Sequence, residues 1–240
     1  MSTATVKTRT IYHFLEPTFI ENIVIRPNGH LLLTTFREGS VYNLDPNAAS
    51  PVPELVAKLP GTTALTGIVQ IEYDTYAVTG GIKAGSMKFE KSTMKVFDRL
   101  LGLSELASKG PLGANGAKVR DGYFYFTNSA QELFCKVKVD SQGDTTGDIE
   151  IVTHNEEAKH NMPYDDFDFD SEGNAWITVH SESIYRIDPG GRQTLFIGGD
   201  GSPLQGPTSL AVSKDDTKLY VACAGNMGKW RGSVVEVHLP

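Results

Sequence analysis

One pattern recurs five times along this chain: an apolar strand, a polar or glycine-bearing turn, then further β-rich strands, at a period of roughly 40 to 50 residues. The clearest copy is residues 164–178, YDDFDFDSEGNAWIT. Asp165 and Asp166 open it, and Phe167 and Phe169 alternate with Asp168 and Asp170. A Ser171-Glu172-Gly173-Asn174 turn follows, and Ala175-Trp176-Ile177 returns. Period-two alternation around a glycine turn makes a β-hairpin, with neighbouring side chains on opposite faces. One face can pack in a core while the upstream end holds a carboxylate.

The other copies follow the same plan. Strands are predicted at 31–35, 40–44 and 54–58 after a Pro27-Asn28-Gly29 turn. A second copy opens at Thr66-Gly67-Ile68, turns at Tyr73-Asp74 and continues through 76–79 and 93–97. A third opens at Ala114-Asn115-Gly116, turns at Arg120-Asp121-Gly122, and runs through 123–127 and 133–139 to an outer strand at 149–152. The opening stretch above continues through 183–187 and 193–197. The last copy starts at Gly206-Pro207-Thr208, turns at Lys214-Asp215-Asp216 and ends at 232–239.

Strand-only repeats of this period predict an all-β fold, a β-propeller with five recognisable blades in a single domain, residues 1–240. A β-sandwich also gives many short strands, but the regular period favours the ring. The last copy lacks an outer strand. Residues 8–15, a strand with no hairpin partner nearby, are predicted to fill that place and close the ring. Residues 95–107 read as a connector rather than a helix.

Composition narrows the function. The formal charge is -7 with no basic cluster, which argues against nucleic-acid and anionic-membrane surfaces. The first residues, MSTATVKTRTIYHF, carry no apolar core of a secretory signal. No apolar run approaches the roughly 20 residues that cross a bilayer. A cytoplasmic protein is expected. Cys135 and Cys223 each sit in a strand-like run, and free buried thiols are expected rather than a disulfide.

In a propeller the first strand of every blade lines the channel, and the loops entering those strands crowd one mouth. The equivalent positions are Glu21-Asn22, Thr66-Gly67, Asn115-Gly116, Asp165-Asp166 and Pro207-Thr208. Glu21, Asn115 and Asp165 offer oxygen ligands. Two carboxylates and an amide carbonyl suit Ca²⁺ or Mg²⁺; Zn²⁺ would more often recruit His or Cys. Each residue also has an ordinary structural role: Asn before Gly marks a turn, and a loop carboxylate is solvated. Asn22, Thr66, Asp166, His180, Thr208 and Trp230 are the candidate substrate-pocket residues. His180 follows a strand as an acid–base candidate, and Trp230 sits in a loop able to cover a pocket. His154 and His160 read as solvated in a polar outer loop, and Trp176 as core. The run from Asp166 to Asp170 lacks the glycine that a calcium loop of the EF-hand type needs after its third ligand. There is no phosphate loop before a helix and no serine nucleophile elbow.

Several motifs together resemble the SMP-30/gluconolactonase/LRE-like group of six-bladed propellers, most closely its fungal members. They are Ile20-Glu21-Asn22-Ile23 with Arg26-Pro27-Asn28-Gly29, Thr66-Gly67-Ile68, the segment GANGAKV at 113–119, and the segment DGYFYFTNS at 121–129. Tyr164-Asp165-Asp166-Phe167 with Gly173-Asn174-Ala175, and Gly206-Pro207-Thr208-Ser209, complete the set. The resemblance implies a divalent metal held by Glu21, Asn115 and Asp165, and Asp165 as the base that activates water for lactone opening. This chain departs from the group twice. Five blades are recognisable where the group has six, with a missing or degenerate blade near 97–110. Thr66-Gly67 stands where lactonases of the group place a further polar residue over the metal. An incomplete ring would expose strand edges and invite pairing between copies.

The expected function is therefore an enzyme with a metal-centred pocket that hydrolyses a small-molecule lactone or ester, in secondary metabolism. Some fungal members of the group catalyse hetero-Diels–Alder ring formation instead. A metal-independent biosynthetic cyclase and a non-catalytic ligand- or protein-binding propeller are the alternatives.

Overall fold

The computed structural model describes residues 6–59, 62, 64–81, 114–155, 163–199, 201–226 and 231–240. Three sequence expectations lie outside them: the strand at 93–97, the connector and degenerate blade between 95 and 110, and the positions of His160 and Trp230.

The strands are β1 (Thr8–His13), β2 (Ile20–Ile25), β3 (Leu31–Thr35), β4 (Ser40–Leu44), β5 (Glu54–Lys58), β6 (Ala64–Glu72), β7 (Thr75–Gly81), β8 (Ala114–Arg120) and β9 (Tyr123–Asn128). They continue as β10 (Leu133–Lys138), β11 (Glu150–His154), β12 (Tyr164–Phe169), β13 (Ala175–Val179), β14 (Ser183–Ile187), β15 (Gln193–Ile197), β16 (Pro207–Val212), β17 (Lys218–Cys223) and β18 (Ser233–His238). Four sheets have four strands each, in the orders β2-β3-β4-β5, β11-β10-β9-β8, β12-β13-β14-β15 and β1-β18-β17-β16, and β6-β7 form a two-stranded sheet. Within each sequence repeat the strands follow one another across one sheet, and β1 joins the last sheet from the other end of the chain. His154, expected in a loop, ends β11.

The N-terminal strand does complete the last repeat. β1 pairs with β18, Thr8 opposite Val237 and His13 opposite Ser233. Arg9 then reaches the buried Glu236, with Nη2 3.0 Å from Oε2. Lys218 Nζ (3.5 Å) and His238 Nε2 (3.1 Å) share that carboxylate. Burial alone would raise the proton affinity of Glu236; the Arg9, Lys218 and His238 partners outweigh it and hold the group below the ordinary carboxylate value.

Turn chemistry explains the hairpins. Between β2 and β3, Gly29 takes φ +85°, which a side chain disfavours, and its N–H donates to Arg26 O at 2.9 Å. Between β12 and β13, the carboxylate of Asp170 accepts from Asn174 N (2.8 Å), Asn174 Nδ2 (2.8 Å) and Trp176 Nε1 (2.9 Å). That places Trp176 in the interior, as its sequence context predicts.

The chain divides into two compact units. The first takes residues 1–89, 181–183 and 197–240. In it β16, β2 and β6, the first strands of their sheets, lie side by side. Ile20, Ile23, Leu31, Leu33, Ala222 and Val234 form its main core, and Leu32, Val41, Leu65 and Ile68 a second. The second unit takes residues 90–180 and 184–196. There β8 neighbours β12, and Phe134, Tyr164, Phe167, Ile177 and Ile187 pack between the sheets. Cys135 and Cys223 are free and buried.

Candidate functional site

Every first strand is irregular at its start. The ladder register slips between Ile20 and Asn22 in β2, Leu65 and Gly67 in β6, Ala114 and Ala117 in β8, Tyr164 and Phe167 in β12, and Pro207 and Ser209 in β16. The residues inside those slips are Glu21, Thr66, Asn115 with Gly116, Asp165 with Asp166, and Thr208. These are the positions that repeat alignment made equivalent. A bulge re-aims one side chain out of the pleat, so the device that breaks pairing also presents a polar group at the end of each first strand.

In the second unit the slips of β8 and β12 meet. Asn115 Nδ2 donates to Asp165 Oδ1 at 2.6 Å and to Ser129 Oγ at 3.2 Å. His180 Nε2 bonds the other Asp165 oxygen at 2.7 Å. The Asp165 side chain is 10% exposed, whereas that of His180 is 36% exposed. Burial raises the proton affinity of Asp165, with the Asp166 charge adding to it and the His180 and Asn115 donors opposing; the net direction is upward. Burial lowers that of His180, but its bond to Asp165 outweighs it and holds the proton above the ordinary imidazole range. The result is a coupled carboxylate–imidazole pair, buried on the acid side and open on the histidine side.

The backbone beneath this pair is pinned. Thr127 Oγ1 donates to Asp165 O at 2.6 Å and Ser129 Oγ to Tyr164 O at 2.7 Å. Thr178 Oγ1 donates to Asp166 O at 2.9 Å. Gly116 allows the close approach: a Cβ there would lie 2.4 Å from Asp166 Oδ1 and 2.7 Å from its Cα. Asp166 itself turns toward its own strand, accepting from Phe167 N at 2.8 Å, with Lys118 Nζ 3.7 Å away. Burial lowers the proton affinity of Lys118, while Asp166 and Asp168 more than reverse that, so Lys118 keeps its charge.

The remaining candidates take structural bonds. Thr208 Oγ1 donates to Ile20 O (3.0 Å), and Ser209 Oγ to Asn22 Oδ1 (3.2 Å), tying β16 to β2. Thr66 Oγ1 meets Thr79 Oγ1 at 3.3 Å. Glu21 lies in the slip of β2 in the first unit. Sequence reasoning missed Ser129, Thr127, Thr178 and Lys118. A signal existed: the return strands lead out through Thr127-Asn128-Ser129 and Thr178-Val179-His180, each a Thr followed two residues on by a polar side chain.

Among the described residues no three His, Cys, Asp or Glu side chains cluster at ligand spacing. The groups that meet at Asp165 are its carboxylate, the Asn115 amide, which presents Nδ2, and the His180 imidazole; a hard oxygen-seeking ion would need the amide turned to present Oδ1.

No family model and no curated protein matches the chain. Solved structures do. A calcium-binding protein, regucalcin, from Agrobacterium tumefaciens superposes with a TM-score of 0.65 at 15% identity, over 95% of this chain and 93% of that one. Aldose sugar dehydrogenase from Streptomyces coelicolor, in its PQQ-bound form, gives 0.57 at 11% identity, over 99% of both chains. A gluconolactonase from Xanthomonas campestris gives 0.50 at 9% identity, over 98% and 90%. The fold is a β-propeller. At these identities the likeness concerns fold, and this propeller fold carries dehydrogenase, lactonase and calcium-binding proteins alike.

Proposed function

We propose that this propeller hydrolyses a lactone or related cyclic ester of a small molecule, with Asp165 and His180 as its acid–base pair. One observation carries the reading: a buried carboxylate, re-aimed by a bulge, is clamped between Asn115 Nδ2 at 2.6 Å and His180 Nε2 at 2.7 Å. The regucalcin and gluconolactonase neighbours support it as bearers of the same fold.

The chemistry follows from the pair. Burial makes Asp165 a stronger base than an exposed carboxylate, and its link to His180 lets the pair pass one proton in and out. Water oxygen attacks the acyl carbon while its proton goes to the pair. The ring C–O bond then breaks, the alkoxide takes that proton back, and a hydroxy acid leaves. Ser129 holds Asn115, and Asn115 holds Asp165, so the base does not swing.

A divalent ion, Ca²⁺ or Mg²⁺, would be held by Asp165 and Asn115. Asn115 would have to turn its amide so that Oδ1 is presented. Bound there, the ion would polarise the substrate carbonyl. Asp166 is proposed to shape the pocket rather than take part in the reaction.

The test is a lactone panel assayed with and without added Ca²⁺ and Mg²⁺, alongside metal analysis of the purified chain. Asp165→Asn is expected to lower kcat/KM by about 100-fold or more, with His180→Gln close behind. Absence of turnover on every lactone, or full activity in Asp165→Asn, overturns the proposal. No bound ion, together with turnover unchanged by added Ca²⁺ or Mg²⁺, removes only the metal.

A further inference from the structure

The strands β8 and β12 meet at more than the Asn115–Asp165 bond. Along β8, Asn115, Gly116 and Lys118 all meet the bulge of β12. Asn115 Nδ2 reaches Asp165 Oδ1 at 2.6 Å. Gly116 has no side chain, and the Asp166 carboxylate lies in that notch: a Cβ on Gly116 would stand 2.4 Å from Asp166 Oδ1. Lys118 Nζ stands 3.7 Å from the same oxygen. Asp165 and Asp166 are neighbours on β12, inside a single slip of register between Tyr164 and Phe167.

Asp166 is the buried half of the second contact. Its side chain is 5% exposed, against 31% for that of Lys118. A carboxylate so withdrawn from water is costly unless it is hydrogen-bonded and paired with a cation. Phe167 N donates to it at 2.8 Å, and Lys118 supplies the cation. The ammonium is itself held in place, 5.7 Å from the centroid of the buried Phe167 ring. Burial works against its charge, and Asp166 and Asp168 outweigh burial. The backbone of Asp166 is fixed from the other side, where Thr178 Oγ1 accepts from its N at 3.1 Å and donates to its O at 2.9 Å. Asp166 is thus tied to β13 by its backbone and to β8 by its side chain.

We propose that Lys118 is a positioning residue of the site: it holds Asp166 against β8, and through the shared bulge it sets the Asp165 carboxylate within reach of Asn115 and His180. It takes no part in the proton transfers. Removing one partner of a buried ion pair is the disruptive way to break it, because a charge is left behind. Without Lys118 the Asp166 carboxylate is expected to turn toward water and to carry the bulge with it. A reacting group displaced by about 1 Å can cost about 100-fold in rate. The catalytic consequence rests on the lactonase reading; the brace between β8 and β12 does not.

The test follows two readouts in the full chain: kcat and KM on the lactone turned over fastest, and the ¹⁵N signals of the His180 ring, which report its bond to Asp165. Lys118→Met is expected to lower kcat about tenfold, to leave KM within about twofold, and to move the His180 signals. Lys118→Arg keeps the cation and should keep most of kcat. Asp166→Asn added to Lys118→Met removes the stranded charge while an amide oxygen still serves Phe167 N. The double variant is therefore expected to regain most of the lost kcat and the original His180 signals. A Lys118→Met chain with wild-type kcat and unmoved His180 signals overturns the inference. So does a double variant that stays as impaired as Lys118→Met, since the loss then does not pass through Asp166. If no lactone is turned over, the lactonase reading alone falls, and the His180 signals decide on Lys118.

Discussion

Asp165 owes its character to residues that do not react. Thr127 and Ser129 hold the backbone on which it stands, Asn115 and His180 hold its two oxygens, and Gly116 leaves the space it needs. Gly116→Ala is expected to cost about 1–3 kcal/mol, because the added carbon meets backbone and carboxylate that cannot retreat without moving the bulge. Urea unfolding reads the stability, and the lactone assay should fall with it. Ser129→Ala removes a donor to Tyr164 O and an acceptor for Asn115, with an expected loss of about 1–2 kcal/mol. Ser129→Thr keeps both roles and should recover most of it. If Ser129→Ala unfolds at the wild-type urea midpoint, the pinning argument fails.

At the scale of elements, two devices hold the blades. The Asp170 carboxylate locks the β12–β13 hairpin through three donors, two of them side chains of Asn174 and Trp176. Asp170→Ala strands those buried donors, and a loss of about 2–4 kcal/mol is expected in urea titrations followed by Trp fluorescence. The β1–β18 closure depends on Glu236 in turn. Its proton affinity is lowered below the ordinary carboxylate value of 4.5, burial opposing and Arg9, Lys218 and His238 prevailing. A lowered value contributes stability that is fully present above pH 4.5 and is lost as pH falls through the folded value. The stability gap between wild type and Glu236→Gln should therefore be widest near neutrality and shrink in acid. A gap that stays constant from neutral to acid pH would reject the linkage.

For the molecule as a whole, each unit carries a buried reporter. Burial pushes the thiols of both Cys135 and Cys223 up to about 12, and a thiol rather than a thiolate is slow to react. Neither is expected to react with a thiol reagent in the native chain at neutral pH. Cys135 lies in the second unit and Cys223 in the first, so the single variants Cys135→Ala and Cys223→Ala report the opening of each unit separately as urea is raised. Fast labelling of either without urea would show that its unit is open in water. The outer strand β5 bears on association. Leu55 is 52% and Val56 50% exposed on it, and an edge strand with free pairing groups invites a second chain. We propose that copies pair there at high concentration; sedimentation of Val56→Lys against wild type tests it, and equal behaviour of the two rejects it.

Much of this protein was legible before any coordinates. Strands 31–35, 40–44, 54–58, 183–187 and 193–197 fall where alternation and turn residues put them, because a side-chain period of two and a Gly or Asp turn are local properties. The closure by residues 8–13 was legible as well, since a last repeat without an outer strand and a first strand without a partner leave one economical pairing. Repeat alignment also marked Glu21, Thr66, Asn115, Asp165 and Thr208 as equivalent. The tertiary structure alone decided what happens at those positions. That Asn115 and His180, distant along the chain, converge on one carboxylate depends on how sheets pack and where the register slips. Alternation reports which face a residue takes, not which distant hydroxyl will satisfy it. The contact of Tyr125 with Phe169 belongs to the same class, for it exists only between two packed sheets and has no trace in either one read alone.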